Sequence, residues 1–243
     1  LAPEPVSYTR KSPTNRIEEV LSKRKTINVF RAFNQRIYGS LNYGLYWEGG
    51  SGPALPIETG FALQELYWHY YHPDRPYNQY PGIEKFVTKK RFQAKGHEWK
   101  EYGRTYHIRH IDKDYPQYFA DLVFERAKNW DGLFFDWWHD DMKSVKGYPK
   151  NQIKKSRRAI AKALRDKMGS NFLLLGNLNW RYHTNTHDYL NGVFMELYKL
   201  PSNGYSCSQI NEVNKLLKYH DKNLQEPRLI ALEPWKISKV PPK

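Results

Sequence analysis

The sequence predicts an α/β fold built on a parallel sheet, and three observations support this prediction. From residue 114 onward, segments with helical spacing alternate with short apolar runs. These runs are continuous, which is typical of strands buried on both faces in parallel βα units. The chain has 243 residues, a length that fits one barrel-sized domain. The predicted architecture is therefore a (β/α)8 TIM-like barrel, either complete or with an incomplete or distorted part.

The first part of the chain has fewer regular patterns. Three prolines and no hydrophobic period predict a flexible tail or linker over residues 1–16, so the barrel domain is expected over 17–243. The elements expected next are a short helix at 17–25, a strand at 26–33, a glycine- and proline-rich loop at 40–57, an aromatic run at 60–72 that fits either a strand or a helix, and a hairpin at 86–111.

Helices and buried strands are predicted to alternate from residue 114. Asp114 and Pro116 are typical of a helix start. The predicted helices cover 114–128, 151–168 and 206–220, with a short helix at 184–190 as a further candidate. The strands are the apolar runs GLFFDWW, NFLLLGNLNW, NGVFMELYK and EPRLIALEPWK. The basic stretch KKSRR of the second helix is expected to face solvent, and the third helix is expected to bury Ile210, Val213, Leu216 and Leu217.

Composition limits the functions that the chain can have. A single cysteine, Cys207, excludes an internal disulfide framework and a cysteine-only metal site. The sequence has no dinucleotide-binding or phosphate-loop motif and no apolar run of the roughly 20 residues that a membrane span needs. No cofactor is therefore expected. The aromatic content of 16% and the net charge of +14 favour a ligand that stacks on rings, either a sugar or single-stranded nucleic acid.

Polar residues follow the four apolar runs at the points where the predicted strands end. Because function in a parallel barrel sits at the carboxyl ends of the strands, we expect these residues to share one cavity. Aromatic residues lie beside them, as at a carbohydrate site, and only one of two adjacent tryptophans on a strand can face that cavity. The candidate polar residues are Asp136, Asn177, Asn179, Glu196 and Glu233. The candidate aromatic residues around the cavity are Trp137, Trp138, Trp180, Tyr198 and Trp235.

Two of these residues suit glycoside hydrolysis, which needs one carboxylate as nucleophile or base and a second, protonated carboxyl group as general acid. Burial and a neighbouring negative charge can keep the acid protonated. Asp136 and Glu196 are the predicted pair. The simpler alternative for either residue is that it caps a loop or pairs with an arginine.

The motifs around these acids resemble a known group of glycosidase-like barrels. The run Asp131-Gly132-Leu133-Phe134-Phe135-Asp136 resembles their DGhhhD strand, and Asn191-Gly192-Val193-Phe194-Met195-Glu196 resembles their later acid-bearing strand. The stretch RHIDKDYPQYFADLVFERAK is similar to the helix that precedes the first of these strands. The resemblance is to the hypothetical glycosyl hydrolase family 15 group and to polygalactosaminidase-type family 114 barrels, over residues 86–237. It implies a TIM-like barrel with Asp136 as nucleophile or base and Glu196 as acid/base.

Other candidate sites and functions are fewer. His139, Asp140 and Asp141 form either a polar loop or a weak metal-binding cluster, and Asp140 is also a candidate to bind a sugar hydroxyl. No metal site is predicted. The expected partner is a polysaccharide or oligosaccharide, with anionic and amino-sugar polymers as candidates, and such a substrate favours export. The alternatives are a catalytically silent carbohydrate-binding barrel and, less favoured because lysine and arginine are dispersed over helix faces, a nucleic-acid binder.

Overall fold

A parallel sheet of six strands forms the centre of the computed structural model, which describes residues 45–48, 61–71, 80–91, 106–127, 130–139, 148–180, 185–197 and 206–234. Neighbouring strands of this sheet follow one another in chain order. The strands are β1 (Leu45–Glu48), β2 (Phe61–Leu66), β6 (Gly132–Phe135), β7 (Leu173–Asn177), β8 (Gly192–Leu197) and β9 (Leu229–Pro234). The predicted α/β class with a parallel sheet is confirmed.

A smaller antiparallel sheet is inserted between β2 and the first described helix. It is formed by β3 (Tyr70–Tyr71), β4 (Val87–Arg91) and β5 (Tyr106–Ile108), in the order β3-β5-β4. The pairing of β4 with β5 confirms the predicted hairpin. The described helices are α1 (Tyr115–Ala127), α2 (Lys150–Met168) and α3 (Cys207–Asn223), each close to its predicted bounds.

Several predictions for single elements need correction or lie outside the described residues. The loop predicted at 40–57 contains β1, which its glycine-flanked sequence conceals because the partner strand β2 supplies the hydrogen bonds. The ambiguous run at 60–72 starts with strand β2. Residues 185–189 form turns rather than a helix. The predicted tail, the first helix at 17–25 and the strand at 26–33 lie outside the described residues.

Both faces of the sheet are buried along β6, β7 and the first four residues of β8, which explains the continuous apolar runs there. Neighbouring strands place Phe134 opposite Leu175 and Asn177 opposite Phe194. One face carries a separate core cluster: Leu63, Phe134, Leu173, Leu175, Phe194, Leu229 and Ala231. The alternate residues of the same strands, such as Phe135 and Leu174, belong to the larger core that includes the helices. We call the first face the inner face.

Two glycines make the close packing of the inner face possible. A Cβ atom on Gly132 would lie 2.2 Å from the carbonyl oxygen of Leu173, and one on Gly192 would lie 2.2 Å from Cδ1 of Leu175. Each glycine begins a strand after a polar residue whose carbonyl accepts a hydrogen bond from the next strand. Small and large residues therefore alternate around this face, as they do in the interior of small barrels.

The amino ends of the strands are held together by Arg165 near the end of α2. Its Nη1 donates hydrogen bonds to the carbonyl oxygens of Gly169 and Phe172 at 3.0 and 2.7 Å, and its Nη2 donates to Oδ1 of Asn191 at 3.0 Å. Burial lowers the pKa of Arg165 to about 10, so the guanidinium remains charged at neutral pH. Arg165 therefore stabilises this edge of the sheet.

The surfaces of two helices differ from the predicted pattern. Within the KKSRR stretch, Ser156 and Arg157 are buried because that side of α2 packs against the segments that follow β5 and β6. Ile210 is 53% exposed because it lies in the exposed first turn of α3, beside the capping residue Ser206. No helix in the described part of the chain has the length and apolar character needed to cross a membrane.

Candidate active site

Asp136 lies directly after β6, at the carboxyl edge of the parallel sheet. Its Oδ1 accepts hydrogen bonds from the backbone N–H of Trp137 and from Nδ2 of Asn177, both at 2.9 Å. Its own carbonyl oxygen accepts a hydrogen bond from Nε1 of Trp68 at 3.0 Å. Two N–H donors on one oxygen favour the charged carboxylate. The side chain and the backbone of Asp136 are thus both held in place.

Trp137 has an unusual backbone conformation that shapes the site. Its φ is 57°, in the left-handed region that bulky residues rarely adopt. The chain reverses there, so that the backbone N–H of Trp138 donates to the carbonyl of Asn177 at 2.9 Å. The ring of Trp137 is half-buried, and its centroid lies 5.9 Å from that of His69 and 6.3 Å from that of His139. Trp137 is therefore the ring of this segment that reaches solvent beside Asp136.

Trp138, predicted to bind substrate, is fully buried. Its ring stacks on Phe135 with centroids 4.2 Å apart, and its Nε1 donates to Oγ1 of Thr186 at 2.9 Å. A Cβ atom on Gly176 would lie 2.7 Å from Trp138 Cδ1, so only glycine leaves room for the ring. Trp138 is a core residue that anchors the loop, and only Trp137 of the pair remains a candidate for sugar stacking.

Asn177 and Asn179, also predicted to bind substrate, are both buried. The Oδ1 of Asn177 accepts a hydrogen bond from the backbone N–H of Asn179 at 3.2 Å, and its Nδ2 donates to Asp136. Asn179 has a φ of 51°, which asparagine tolerates better than most residues. The structure therefore brings Asn177 to Asp136 as a hydrogen-bond partner.

The positions of the two remaining acids follow from strand pairing. Glu196 on β8 and Glu233 on β9 are register partners. Asn177 is paired with Phe194, so Glu196 comes two residues further toward the carboxyl edge. The strands that carry Asp136, Asn177, Glu196 and Glu233 are consecutive neighbours in the sheet. Asp140, Tyr198 and Trp235 lie outside the described residues.

A family model described as hypothetical glycosyl hydrolase family 15 matches residues 65–237. The chain belongs to this family. The match begins earlier than the resemblance in the sequence motifs, near the end of β2, and it spans both Asp136 and Glu196. The expectation of a glycoside hydrolase is thereby confirmed at the level of the family.

Solved structures show a related fold. The glycoside hydrolase domain of PelA from Pseudomonas aeruginosa has a TM-score of 0.58 at 10% identity, over 85% of this chain and 83% of that chain. A single-residue variant of that domain has the same TM-score and coverage at 9% identity. Ega3 from Aspergillus fumigatus in complex with galactosamine has a TM-score of 0.44 at 13% identity, over 85% of this chain and 89% of that chain. None of the curated proteins compared with the chain matches it.

A buried aromatic layer supports the site in this member of hypothetical glycosyl hydrolase family 15, and the sequence analysis missed it. The ring of Trp68 contacts the rings of His69, His110 and Trp138 at centroid distances of 5.0–5.1 Å. Its indole N–H holds the Asp136 carbonyl. The signal in the sequence was the run Trp68-His69-Tyr70, which follows β2 and whose rings each carry a polar group that needs a hydrogen-bond partner when buried.

His110 in this layer has a defined tautomer. Ser156 Oγ donates its one proton to the carbonyl oxygen of His110 at 2.6 Å, so the 2.8 Å contact between Ser156 Oγ and His110 Nδ1 requires Nδ1 to be the donor. Burial, followed by the positive charges of His107 and Arg157, lowers the pKa of His110 to about 3. Burial and the neighbouring histidines also hold the pKa of His69 well below its ordinary value.

The neutral histidines are not arranged as metal ligands. Among the residues that the structure describes, no group of three or more His, Cys, Asp or Glu side chains could hold a metal ion. Cys207, the lone cysteine, is exposed at the start of α3.

Proposed function

We propose that this protein is a glycoside hydrolase that cleaves a polysaccharide with Asp136 as nucleophile or base and Glu196 as general acid. One observation carries the proposal: the Asp136 carboxylate is held by two N–H donors at the same sheet edge toward which β8 carries Glu196. One strand, β7, separates the strands of the two acids. This spacing suits two carboxyl groups that act on one glycosidic bond.

The proposed mechanism divides the chemistry between the two acids. Glu196 donates a proton to the glycosidic oxygen as the bond between that oxygen and the anomeric carbon breaks. Asp136, kept charged by its N–H donors, either attacks the anomeric carbon or removes a proton from the attacking water. The distance between the carboxyl groups decides between these routes, with about 5–5.5 Å for the covalent route and about 6.5–9.5 Å for the direct one.

We propose a (β/α)8 TIM-like barrel as the complete architecture, within a domain that covers 17–243 after a tail at 1–16. The parallel strands are consecutive in both chain and space, which is the connectivity of a singly wound barrel. The buried apolar cluster on the inner face fits the packed interior of such a barrel. In such a barrel we expect Glu196 and Glu233 at the mouth, because each comes two residues after an inner-face residue, Phe194 or Ala231.

The substrate site is proposed to use Trp137 as a stacking platform. Its half-buried ring lies one residue from the reactive carboxylate, where it can cover the apolar face of a sugar. Tyr198, Trp235, Asp140 and Glu233 remain proposed substrate contacts. The net charge of +14 favours anionic polymers by long-range attraction, and an amino-sugar polymer remains a candidate because three acids are proposed around the mouth.

A screen of polysaccharides tests the proposal. Release of reducing ends is measured on neutral, acidic and amino-sugar polymers with the wild-type protein and with Asp136→Asn. Turnover by the wild type that the variant lacks supports the proposal. Binding of a polymer without turnover by the wild type would instead favour the catalytically silent carbohydrate-binding barrel.

A further inference from the structure

Asn177 is held in the protein interior in a way that aims its amide group at Asp136. Its side chain and backbone together are 2% exposed, so the residue offers almost no surface to a sugar. The amide nevertheless reaches the carboxylate, because Nδ2 lies 2.9 Å from Oδ1 of Asp136.

The orientation of this amide is determined by a second hydrogen bond. The backbone N–H of Asn179 donates to Oδ1 of Asn177, so Oδ1 is the acceptor and Nδ2 must be the atom that faces Asp136. Asn179 itself has a left-handed backbone conformation, with a φ of 51°. The carbonyl of Asn177 also accepts the N–H of Trp138. Asn177 therefore hydrogen-bonds to the residues on both sides of Trp137, namely Asp136 and Trp138.

We infer that Asn177 is a positioning residue for the reaction: its amide fixes and stabilises the charged Asp136 carboxylate and makes no contact with substrate. This inference rests on the proposed function, since Asp136 must react for its position to matter. The amide supplies one N–H donor to Oδ1, and the backbone of Trp137 supplies another. Removal of one donor leaves the carboxylate less stable in its charged form and freer to rotate.

Two variants test this inference, and in each one Asn177 is replaced by a residue of similar size. Asn177→Asp substitutes a second carboxyl group for the donor, and two carboxyl groups at this distance cannot both be charged without a large penalty. The acidic limb of the pH profile of kcat/KM should move to higher pH by about one unit or more. Asn177→Leu should lower kcat by roughly ten- to hundred-fold, as expected for loss of a hydrogen bond to a charged group, with little change in KM.

A matched control lies at the opposite edge of the same sheet. Asn191 is also buried: its Oδ1 accepts from the backbone N–H of Leu174 at 3.1 Å and from Nη2 of Arg165 at 3.0 Å, and its Nδ2 donates to the carbonyl of Glu226 at 2.9 Å. Asn191→Asp removes a buried amide donor, the one to the Glu226 carbonyl, and places the new carboxyl group beside Arg165 and remote from Asp136. It should lower stability and leave the acidic limb of the profile where it is in the wild type.

A direct titration separates this inference from the proposed function. The carboxyl carbon signal of Asp136, identified by its loss in Asp136→Asn, is followed by NMR from pH 2.5 to 8. It should titrate at higher pH in Asn177→Asp than in the wild type or in Asn191→Asp, whether or not any polymer is cleaved. The described titratable and charged groups next to the Asp136 segment, His69, His139 and Arg157, are the same in all of these proteins, as is the proposed acid Glu196.

The outcomes distinguish the possibilities. A shifted titration together with an altered pH profile supports the positioning role. A shifted titration in a protein that cleaves nothing contradicts the hydrolase and retains the carboxylate contact. An unchanged Asp136 titration in Asn177→Asp overturns the inference. A higher KM with unchanged kcat in Asn177→Leu also overturns it, because that result would mean direct contact with the sugar.

Discussion

The guanidinium of Arg157 donates a hydrogen bond from Nη1 to the backbone carbonyl of Trp138 over 2.8 Å, and both residues are fully buried. This contact joins α2 to the segment that follows Asp136. Burial lowers the pKa of Arg157 to about 9, which leaves the group charged at pH 7. The buried guanidinium of Arg157 therefore helps to hold the segment that carries Trp137.

Arg157→Met should lower the free energy of unfolding by about 1–3 kcal/mol, because the Trp138 carbonyl remains buried without that donor. The neighbouring Arg158→Met is the control. Arg158 pairs with Asp188 at the surface, where an ion pair contributes about 1 kcal/mol or less. Urea denaturation measures both. Equal losses in the two variants would contradict a special role for Arg157.

Asp136→Asn should reduce turnover by about 10⁴-fold while sugar binding is retained, because the amide occupies the same volume but cannot act as nucleophile or base.

Glu196→Gln should reduce turnover most on substrates with poor leaving groups, since good leaving groups need no proton. Rates on a natural polymer and on an activated aryl glycoside measure the difference. Full activity of Glu196→Gln on the polymer would leave Glu233 or Asp140 as the candidate acid.

The two adjacent tryptophans should respond differently to truncation. Trp137→Ala should raise KM for the polymer and cost less stability than truncation of Trp138, because the Trp137 ring is only partly buried. Trp138→Ala should cost about 3–5 kcal/mol of stability, because it empties a fully buried site. Thermal unfolding and binding isotherms measure both effects. A large loss of stability in Trp137→Ala with unchanged binding would contradict the stacking role.

Acid should destabilise the protein through its buried histidines. In the unfolded chain His110 binds a proton near pH 6.5, whereas in the folded protein its pKa is about 3. Between these values unfolding takes up a proton, so stability falls as the pH falls, by about 1.4 kcal/mol per pH unit for this group. His69 adds a contribution of the same sign.

His110→Gln removes one of these titrating groups. The free energy of unfolding of this variant, measured in urea between pH 4 and 7, should depend less steeply on pH than that of the wild type. The same slope in both proteins would show that His110 does not carry this acid sensitivity.

Binding of an anionic polymer should weaken as salt concentration rises. The net charge of +14 acts over the Debye length, which falls from about 10 Å at 0.1 M ionic strength to about 3 Å at 1 M. Binding of a neutral polymer of similar length is the control, measured at the same salt concentrations. If the anionic polymer binds equally well at both salt concentrations, the surface charge has no part in recognition.

Much of the parallel sheet and its helices could be predicted from the sequence, since their signals are local. The side chains from Leu173 to Leu175 alternate between the two faces of a strand, so all of them leave water only when both faces are buried. The capping box at Ser206 and the periodic apolar residues of α2 likewise mark helices. The order of Asp136 and Glu196 after such runs was enough to indicate the carboxyl edge of a parallel sheet.

The sequence by itself therefore determined the fold class, the family motifs and the candidate acids, because strand periodicity and strand ends can be recognised from neighbouring residues. Only the tertiary structure decided which polar groups hydrogen-bond to Asp136 and to the segment that follows it. Burial of Arg157, the aim of the Asn177 amide and the contact of Trp68 with the Asp136 carbonyl each join residues that are distant in the chain. A buried donor is placed by the acceptor it must satisfy, and that acceptor appears only when separate segments pack together.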